Sequence, residues 1–248
     1  MRFLLYNIRY GTGAGPGFHR PLPGMGYLRR TEKHLSSMVQ WFRDQDPDII
    51  GLIEVDMGSY RTQGKRNQAE TMAESLGCDH VHECKYHDTS FNRRIPLFRS
   101  QGNALITRHN IERGHFHFFA HGVKRLIIEL ELEKLRIFLV HLSLGYGARK
   151  QQLDFLSYLV SNSDRPVIVA GDFNTFFGPR EYRDLLAKTG LVSANTLNLP
   201  THPSKRPRRQ LDFIFHDKRI KSKTLEIPQV EYSDHLPLIF DFEIESAD

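Results

Sequence analysis

Apolar positions in this chain recur at two spacings, every second residue or every third to fourth, and the spacing changes repeatedly along its length. Residues 2–8 are bulky and alternating, which predicts a strand, and the Gly- and Pro-rich stretch 11–26 after it predicts a loop. Leu35, Met38, Val39 and Phe42 fall at helical spacing, with Thr31 as the expected N-cap and Pro47 as the stop before the buried run Ile49, Ile50, Leu52, Ile53. A second helix is predicted over 66–76 with Gly77 closing it, then a moderately exposed strand over 79–87 and a polar loop over 88–100. The sheet resumes at 104–107. Residues 123–132 and 135–142 are strong β patterns separated only by Glu133 and Lys134, which predicts a hairpin and antiparallel pairing. A helix is expected at 148–161, where Leu153, Leu156, Leu159 and Val160 share a face, a short dry strand at 166–170 and a helix at 180–188. The last strands, 211–215 and 236–242, are separated by a basic, Pro-containing connection. No repeat of 20–50 residues is present. Strands mixed with helices, some adjacent and antiparallel, predict an α/β sandwich: mixed β-sheets packed face to face with helices outside. Its chemistry is expected at the strand ends.

Composition narrows this only a little. A chain of 248 residues is read as one domain spanning 1–248, and 40% hydrophobic residues with 17 Phe and 9 Tyr suffice for a sizeable core. The net charge of +5 favours anionic substrates such as phosphate esters, nucleic acid or phospholipid head groups, without choosing among them. Cys78 and Cys84 are too far apart for a CxxC motif and are expected to be reduced, which suits the cytosol. The amino end lacks the apolar core of a secretory signal, and no apolar run approaches the roughly 18 residues of a membrane span. Any lipid contact is therefore expected to be peripheral.

The chemistry-bearing signal is a recurrence: apolar strands that end in a polar side chain. LLYNIRYG gives Asn7, DIIGLIEVD gives Glu54, IFLVHLSLG gives His141, and PVIVAGDFNT gives Asp172 and Asn174, with Gly171 expected to let the backbone bend as those side chains become exposed. QLDFIF places Asp212 among apolar residues, where its carboxylate needs a donor, and His235 of SDHLPL, next to Asp234, is the candidate. Such a histidine can donate to a phosphoryl oxygen. Hard oxygen ligands without cysteine suit Mg²⁺ or Mn²⁺, with Glu54 as first-choice ligand, Asp172 preparing water for in-line attack, and Asn7 and Asn174 positioning groups. Each residue alone reads equally well as a turn, a cap or a core partner; their joint occurrence in order carries the inference.

Taken together, NIRYG, IGLIEVD, GNALIT, VHLSLG, AGDFNT, LDFIF and SDHLPL resemble the endonuclease/exonuclease/phosphatase superfamily of metal-dependent phosphoesterases. The resemblance runs from Asn7 to His235. It implies a four-layered α/β sandwich, with Glu54 as the metal-binding glutamate, Asp234 near the metal, and Asn7 and Asn174 at phosphate or a metal-bound group. It also implies Asp172 at the nucleophilic water, and Asp212 with His235 stabilising the transition state. His141 matches the histidine of the phosphatase, sphingomyelinase and deadenylase branches. Arg9 stands where AP endonucleases, which resemble this pattern, carry an aspartate, and His141 where they carry a tyrosine, which weakens an abasic-site reading. Arg9, Asn103 of GNALIT, and Arg208 and Arg209 of the basic stretch before Leu211 are the expected substrate contacts, Arg9 reading about as well as a surface arginine. The sequence thus predicts a Mg²⁺- or Mn²⁺-dependent phosphodiesterase or phosphatase on a small or lipid-derived ester. A DNA or RNA nuclease of the same fold is the alternative, and a non-catalytic binding module comes third.

Overall fold

The computed structural model describes residues 1–14, 31–85, 100–119 and 126–245. The loops expected at 11–26 and 88–100, the end of the strand expected over 79–87 and the start of that expected from 123 lie wholly or partly outside the described residues. Along the chain run β1 (Arg2–Asn7), α1 (Glu32–Gln45), β2 (Ile49–Asp56), α2 (Gln68–Leu76), β3 (Asp79–Cys84), β4 (Gln101–Thr107), β5 (Arg113–Phe118), β6 (Leu126–Leu132) and β7 (Leu135–His141). There follow α3 (Tyr146–Ser161), β8 (Val167–Asp172), α4 (Arg183–Thr189), β9 (Val192–Ser193), β10 (Asp212–His216), β11 (Ile220–Glu226) and β12 (Leu238–Ile244). They form two six-stranded mixed sheets, ordered β11-β12-β1-β2-β4-β3 and β5-β6-β7-β8-β10-β9.

Strand alternation explains how the sheets stack. Phe3 and Leu5 of β1, Ile49 and Ile53 of β2, Ile137 and Leu139 of β7, Ile168 and Ala170 of β8, and Ile214 of β10 all bury in the seam between the sheets. The opposite faces are covered by helices. Met38 and Phe42 of α1 and Met72 of α2 pack on Leu4, Tyr6, Leu52 and Ala104. Leu153 and Leu156 of α3 and Leu185 of α4 pack on Phe138, Val140, Val169 and Phe213. The layers therefore run helix, sheet, sheet, helix. Each buried Leu, Ile or Phe contributes about 1.5–3 kcal/mol, so the dry seam fixes strand register before any polar contact is counted.

Several local expectations need correction. Thr31 does not cap α1 with its side chain; its hydroxyl donates to the Arg61 carbonyl and accepts from Gln68 Nε2. The helix expected over 180–188 is broken: a single 3-10 turn at Pro179–Glu181 gives way to α4 at Tyr182, whose ring turns inward against Phe213 and Phe215. The connection after residue 215 contains β11, an edge strand whose Lys221, Ser222, Lys223 and Thr224 are exposed and so lack the apolar alternation of a half-buried strand. The strands β5 and β9 were not anticipated either. Among the described residues no helix is long and apolar enough to cross a membrane.

Candidate active site

The inward-facing positions that fill the seam with Phe, Ile and Leu change character at one end of the sandwich. Continuing each alternation, Phe3-Leu5 leads to Asn7, Ile137-Leu139 to His141, Ile168-Ala170 to Asp172, and Ile214 and Leu105 lead back to Asp212 and Asn103. The same register that builds the core therefore aims five polar side chains into one place. All five are at most 2% exposed, so each needs partners.

Asp172 is the hub. Its Oδ2 accepts from Asn7 Nδ2 at 3.1 Å and lies 3.3 Å from His141 Nε2 and 4.0 Å from His235 Nε2. Its Oδ1 accepts from the Asn174 backbone N–H at 3.1 Å, and the Asn174 side chain donates to the Leu142 carbonyl at 2.9 Å, tying the ends of β7 and β8 together. Asn174 adopts φ 50°. Asp172 and Asn174 are buried rather than exposed, and the need for Gly171 is different from the one expected. At φ 151° a Cβ there would sit 1.8 Å from the Val140 carbonyl oxygen of the parallel neighbour β7. Only glycine admits that approach.

Asp212 and His235 meet as the sequence suggests. His235 Nδ1 lies 2.8 Å from Asp212 Oδ2, which also accepts from Thr201 Oγ1 at 2.6 Å. Burial alone would lower the proton affinity of His235, but the Asp212 charge and hydrogen bond, with Asp172 and Asp234 behind it, raise its pKa to about 10. The imidazole is therefore cationic at neutral pH, with Nε2–H directed towards the Asp172 side. The neighbouring His202 ring lies 4.7 Å from it, and burial followed by repulsion from His235 pushes His202 down to about 4, keeping it neutral.

Glu54 reaches the site by another route. It is not at the end of β2, which continues to Asp56, and simple alternation would turn it away from the seam. A register irregularity between Leu52 and Val55 and φ 59° at Glu54 redirect it. Its Oε1 lies 3.8 Å from Lys85 Nζ and 3.9 Å from His141 Nε2, and its backbone N–H donates to Asn103 Oδ1 at 3.3 Å. Asn103 thus holds the backbone of Glu54, while its Nδ2 is buried without a hydrogen-bond partner among the described residues. Asp212 Oδ1 and Thr175 Oγ1 are in the same condition. Such atoms are where a bound group completes a site.

The remaining expected contacts divide. Arg9 is not a surface residue: it is 4% exposed, donates to the Gly13 carbonyl and faces Asp234 at 3.4 Å. Arg208 and Arg209 stay exposed outside the cluster, Arg209 lying over the Phe176 ring at 5.6 Å. Three further residues partner the site although the sequence assigned them no role in it: Lys85, Thr201 and His202. Thr201 and His202 stand eleven and ten residues from Asp212 and join it through the antiparallel bridge between His202 and Arg209. Lys85 carried no signal at all.

The donor chemistry fits a hard divalent cation. The Asp172, Asp212 and His235 ligand atoms lie within 4.8 Å of one another, but an imidazolium has no lone pair to give, and His235 is better placed as a hydrogen-bond donor. That leaves the carboxylates of Glu54 and Asp172, bridged by His141, with amide oxygens nearby and no thiolate, a set suited to Mg²⁺ or Mn²⁺.

Comparison with known proteins agrees with this fold. A UPF0294 protein of Vibrio parahaemolyticus is 24% identical over 157 residues, 62% of this chain and 49% of that protein. The chain spans about half the length of the curated relatives it matches. Among solved structures, the mannosyl-6-phosphatase Bt3783 of Bacteroides thetaiotaomicron superposes with TM-score 0.72 at 16% identity, covering 98% of this chain and all of that one. The human Nocturnin catalytic domain with a bound sulfate anion gives 0.67 at 17% identity, covering 98% and 93%. At these identities the likeness establishes the fold, two mixed sheets in a sandwich. The sequence profile of the Endonuclease/Exonuclease/phosphatase family matches residues 4–235, and the chain belongs to that family.

Proposed function

We propose that this protein is a divalent-metal-dependent phosphoric ester hydrolase that works by in-line attack of water, acting on a small or lipid-derived phosphodiester or phosphomonoester. The observation that carries the proposal is the convergence on Asp172 of Asn7, His141 and the cationic His235 within 4.0 Å. In this reading Asp172 accepts a proton from the attacking water, and the amide of Asn7 and the backbone N–H of Asn174 fix its carboxylate. The imidazolium of His235, oriented by Asp212, donates to phosphoryl oxygens as negative charge builds, and His141 donates from the other side. Glu54, with Asp172 and support from Asn7 and Asp234, is the proposed holder of Mg²⁺ or Mn²⁺. When bound, such a cation supplies positive charge against the phosphoryl group. Asn103 Nδ2 is a further donor suited to a substrate oxygen.

An apolar rim supports the lipid-derived arm. The turns after His141 and Asn174 carry Leu144, Phe176 and Phe177, and α3 opens with Tyr146; Leu144 is 62% and Phe177 57% exposed. Arg149, itself buried, fastens these turns: its guanidinium donates to the carbonyls of Ser143 and Leu144 and pairs with Glu181, which accepts from the Phe177 N–H. Arg180 and Arg209 lie over the Phe177 and Phe176 rings. Exposed apolar side chains beside guanidinium groups suit an anionic head group with a hydrocarbon tail. The same rings over which arginines lie would suit a nucleic-acid base, which keeps the nuclease reading as second. Leu144, which offers no stacking face, favours the lipid.

The test is a substrate panel with Mg²⁺ and Mn²⁺: a chromogenic diester, anionic phospholipid vesicles and labelled oligonucleotides. Turnover abolished by EDTA, lost in Asp172→Ala and His235→Ala, and fastest on vesicles is the expected result. Full activity in either variant rejects the assigned roles, and faster cleavage of oligonucleotides moves the protein to the nuclease reading.

A further inference from the structure

A second cluster of ligating side chains lies on the outer face of the first sheet. In β3, alternation sends Val81 into the seam and His80 and His82 to the face covered by α2, opposite Ile106 and Ala104 of β4. The two imidazoles are parallel, with centroids 5.2 Å apart and planes within 7°. Glu70, in the first turn of α2, brings its Oε1 to 3.7 Å from His82 Nε2. One ligand atom from each of the three residues lies within 4.8 Å of the other two.

We propose that His80, His82 and Glu70 form a binding site for a late first-row divalent cation, Zn²⁺ first, separate from the catalytic pocket. Two imidazole nitrogens and one carboxylate oxygen are a borderline donor set that prefers Zn²⁺ to Mg²⁺ or Mn²⁺, the reverse of the oxygen-rich site around Glu54. In tetrahedral Zn²⁺ sites donor atoms stand roughly 3.3 Å apart, from Zn–N and Zn–O lengths of about 2.0–2.1 Å. The observed separations reach that value by modest side-chain rotation, which the half-exposed positions allow. Glu70 is half exposed, so the outer side of the site is open to water and three protein ligands leave room for a fourth. The bound cation joins α2 to β3, the edge strand of its sheet among the described residues, and so acts as a clip on that edge.

The experiment uses untagged full-length protein with millimolar Mg²⁺ present, titrating Zn²⁺ against a chromophoric chelator and following the thermal midpoint in parallel. Wild-type protein is expected to bind one more equivalent of Zn²⁺ than His80→Ala/His82→Ala, and to gain thermal stability with Zn²⁺ that the double variant does not gain. Glu70→Gln is expected to weaken that equivalent roughly tenfold or more. Phosphoesterase turnover in Mg²⁺ without Zn²⁺ should be the same in all three proteins, so the result is independent of the catalytic reading. An unchanged Zn²⁺ stoichiometry in the double variant, or an affinity untouched by Glu70→Gln, overturns the proposal.

Discussion

The two sheets repeat one pairing pattern: a single parallel pair, β1–β2 in one and β7–β8 in the other, flanked by antiparallel neighbours. Each parallel pair delivers its polar residues at its carboxyl end, where open α/β sheets generally bind ligands. The ends differ in how the side chains are held. In the second sheet, His141 and Asp172 sit directly opposite each other in regular register, and Asp172 and Asp212 are likewise paired across β8 and β10. In the first, Asn7 is regular, but Glu54 reaches the pocket only through a register irregularity and a left-handed backbone, its Oε1 standing 3.8 Å from Lys85 Nζ and 3.9 Å from His141 Nε2. The lesson is a division of labour. In the proposed reading the regular half holds Asp172, assigned to the attacking water as well as to the cation, and Asp212, which orients His235, groups that tolerate little displacement. The irregular half holds Glu54, the carboxylate that this reading assigns to the cation alone, which can adjust its contacts as ligands arrive.

That comparison can be broken by substitution. The largest effect is expected at Asp172 of the regular half and at His235, which Asp212 of that half orients from across the pocket: Asp172→Asn and His235→Ala should each lower turnover by roughly 10²–10⁴-fold while the Mg²⁺ concentration for half-maximal rate changes little in His235→Ala. Gly171→Ala tests the close approach between β7 and β8. The added methyl has no room against the Val140 carbonyl, and a loss of about 3 kcal/mol, read from the denaturant midpoint, is expected. Glu54→Gln should act on the cation instead, raising the Mg²⁺ requirement roughly tenfold or more with partial recovery of rate at high Mg²⁺. If Glu54→Gln lowers the rate with no change in Mg²⁺ dependence, the division fails. Thr201→Val removes a hydroxyl that donates to Asp212 Oδ2 and accepts from the Leu211 and Asp212 N–H groups, and should cost about 1–3 kcal/mol of stability.

The smallest effect is a pH dependence remote from the site. Glu129 on β6 lies 2.6 Å from His117. Burial pushes its carboxyl up, but the His117 hydrogen bond and charge and then Arg136 outweigh this and hold its pKa below the ordinary glutamate value. A carboxylate depressed in the folded state stabilises above its unfolded pKa and loses that contribution as pH falls through the folded one. Glu129→Gln should therefore lower the melting midpoint near neutrality, with the gap to wild type closing as the pH is taken below the glutamate range.

What could be seen in the sequence follows the same division. Asn7, His141 and Asp172 were legible because each continues the alternation of an apolar strand, a local property. Glu54 was legible as an acid after an apolar run, but not as a residue inside a kinked strand, because the kink depends on pairing with β4. Lys85, Thr201 and His202 were not read as partners: Lys85 meets Glu54 only through tertiary packing, and Thr201 and His202 meet Asp212 and His235 through a bridge that no apolar pattern marks. Helix 180–188 misled because Tyr182 gains more by burying its ring than by continuing the helix, and β11 because an exposed edge strand carries no apolar stripe.

One consequence of β1 reaches beyond the pocket. The strand enters at the far end of the sandwich, where the Met1 amino group donates to the Phe242 carbonyl and the Glu245 N–H to that of Arg219, and it finishes at Asn7. Six residues of extended chain, about 20 Å, separate the two ends. A fluorescent reporter, a surface linker or another folded unit joined at residue 1 or 245 would thus project from the back of the molecule, leaving the mouth turned towards whatever surface or solution carries the ester.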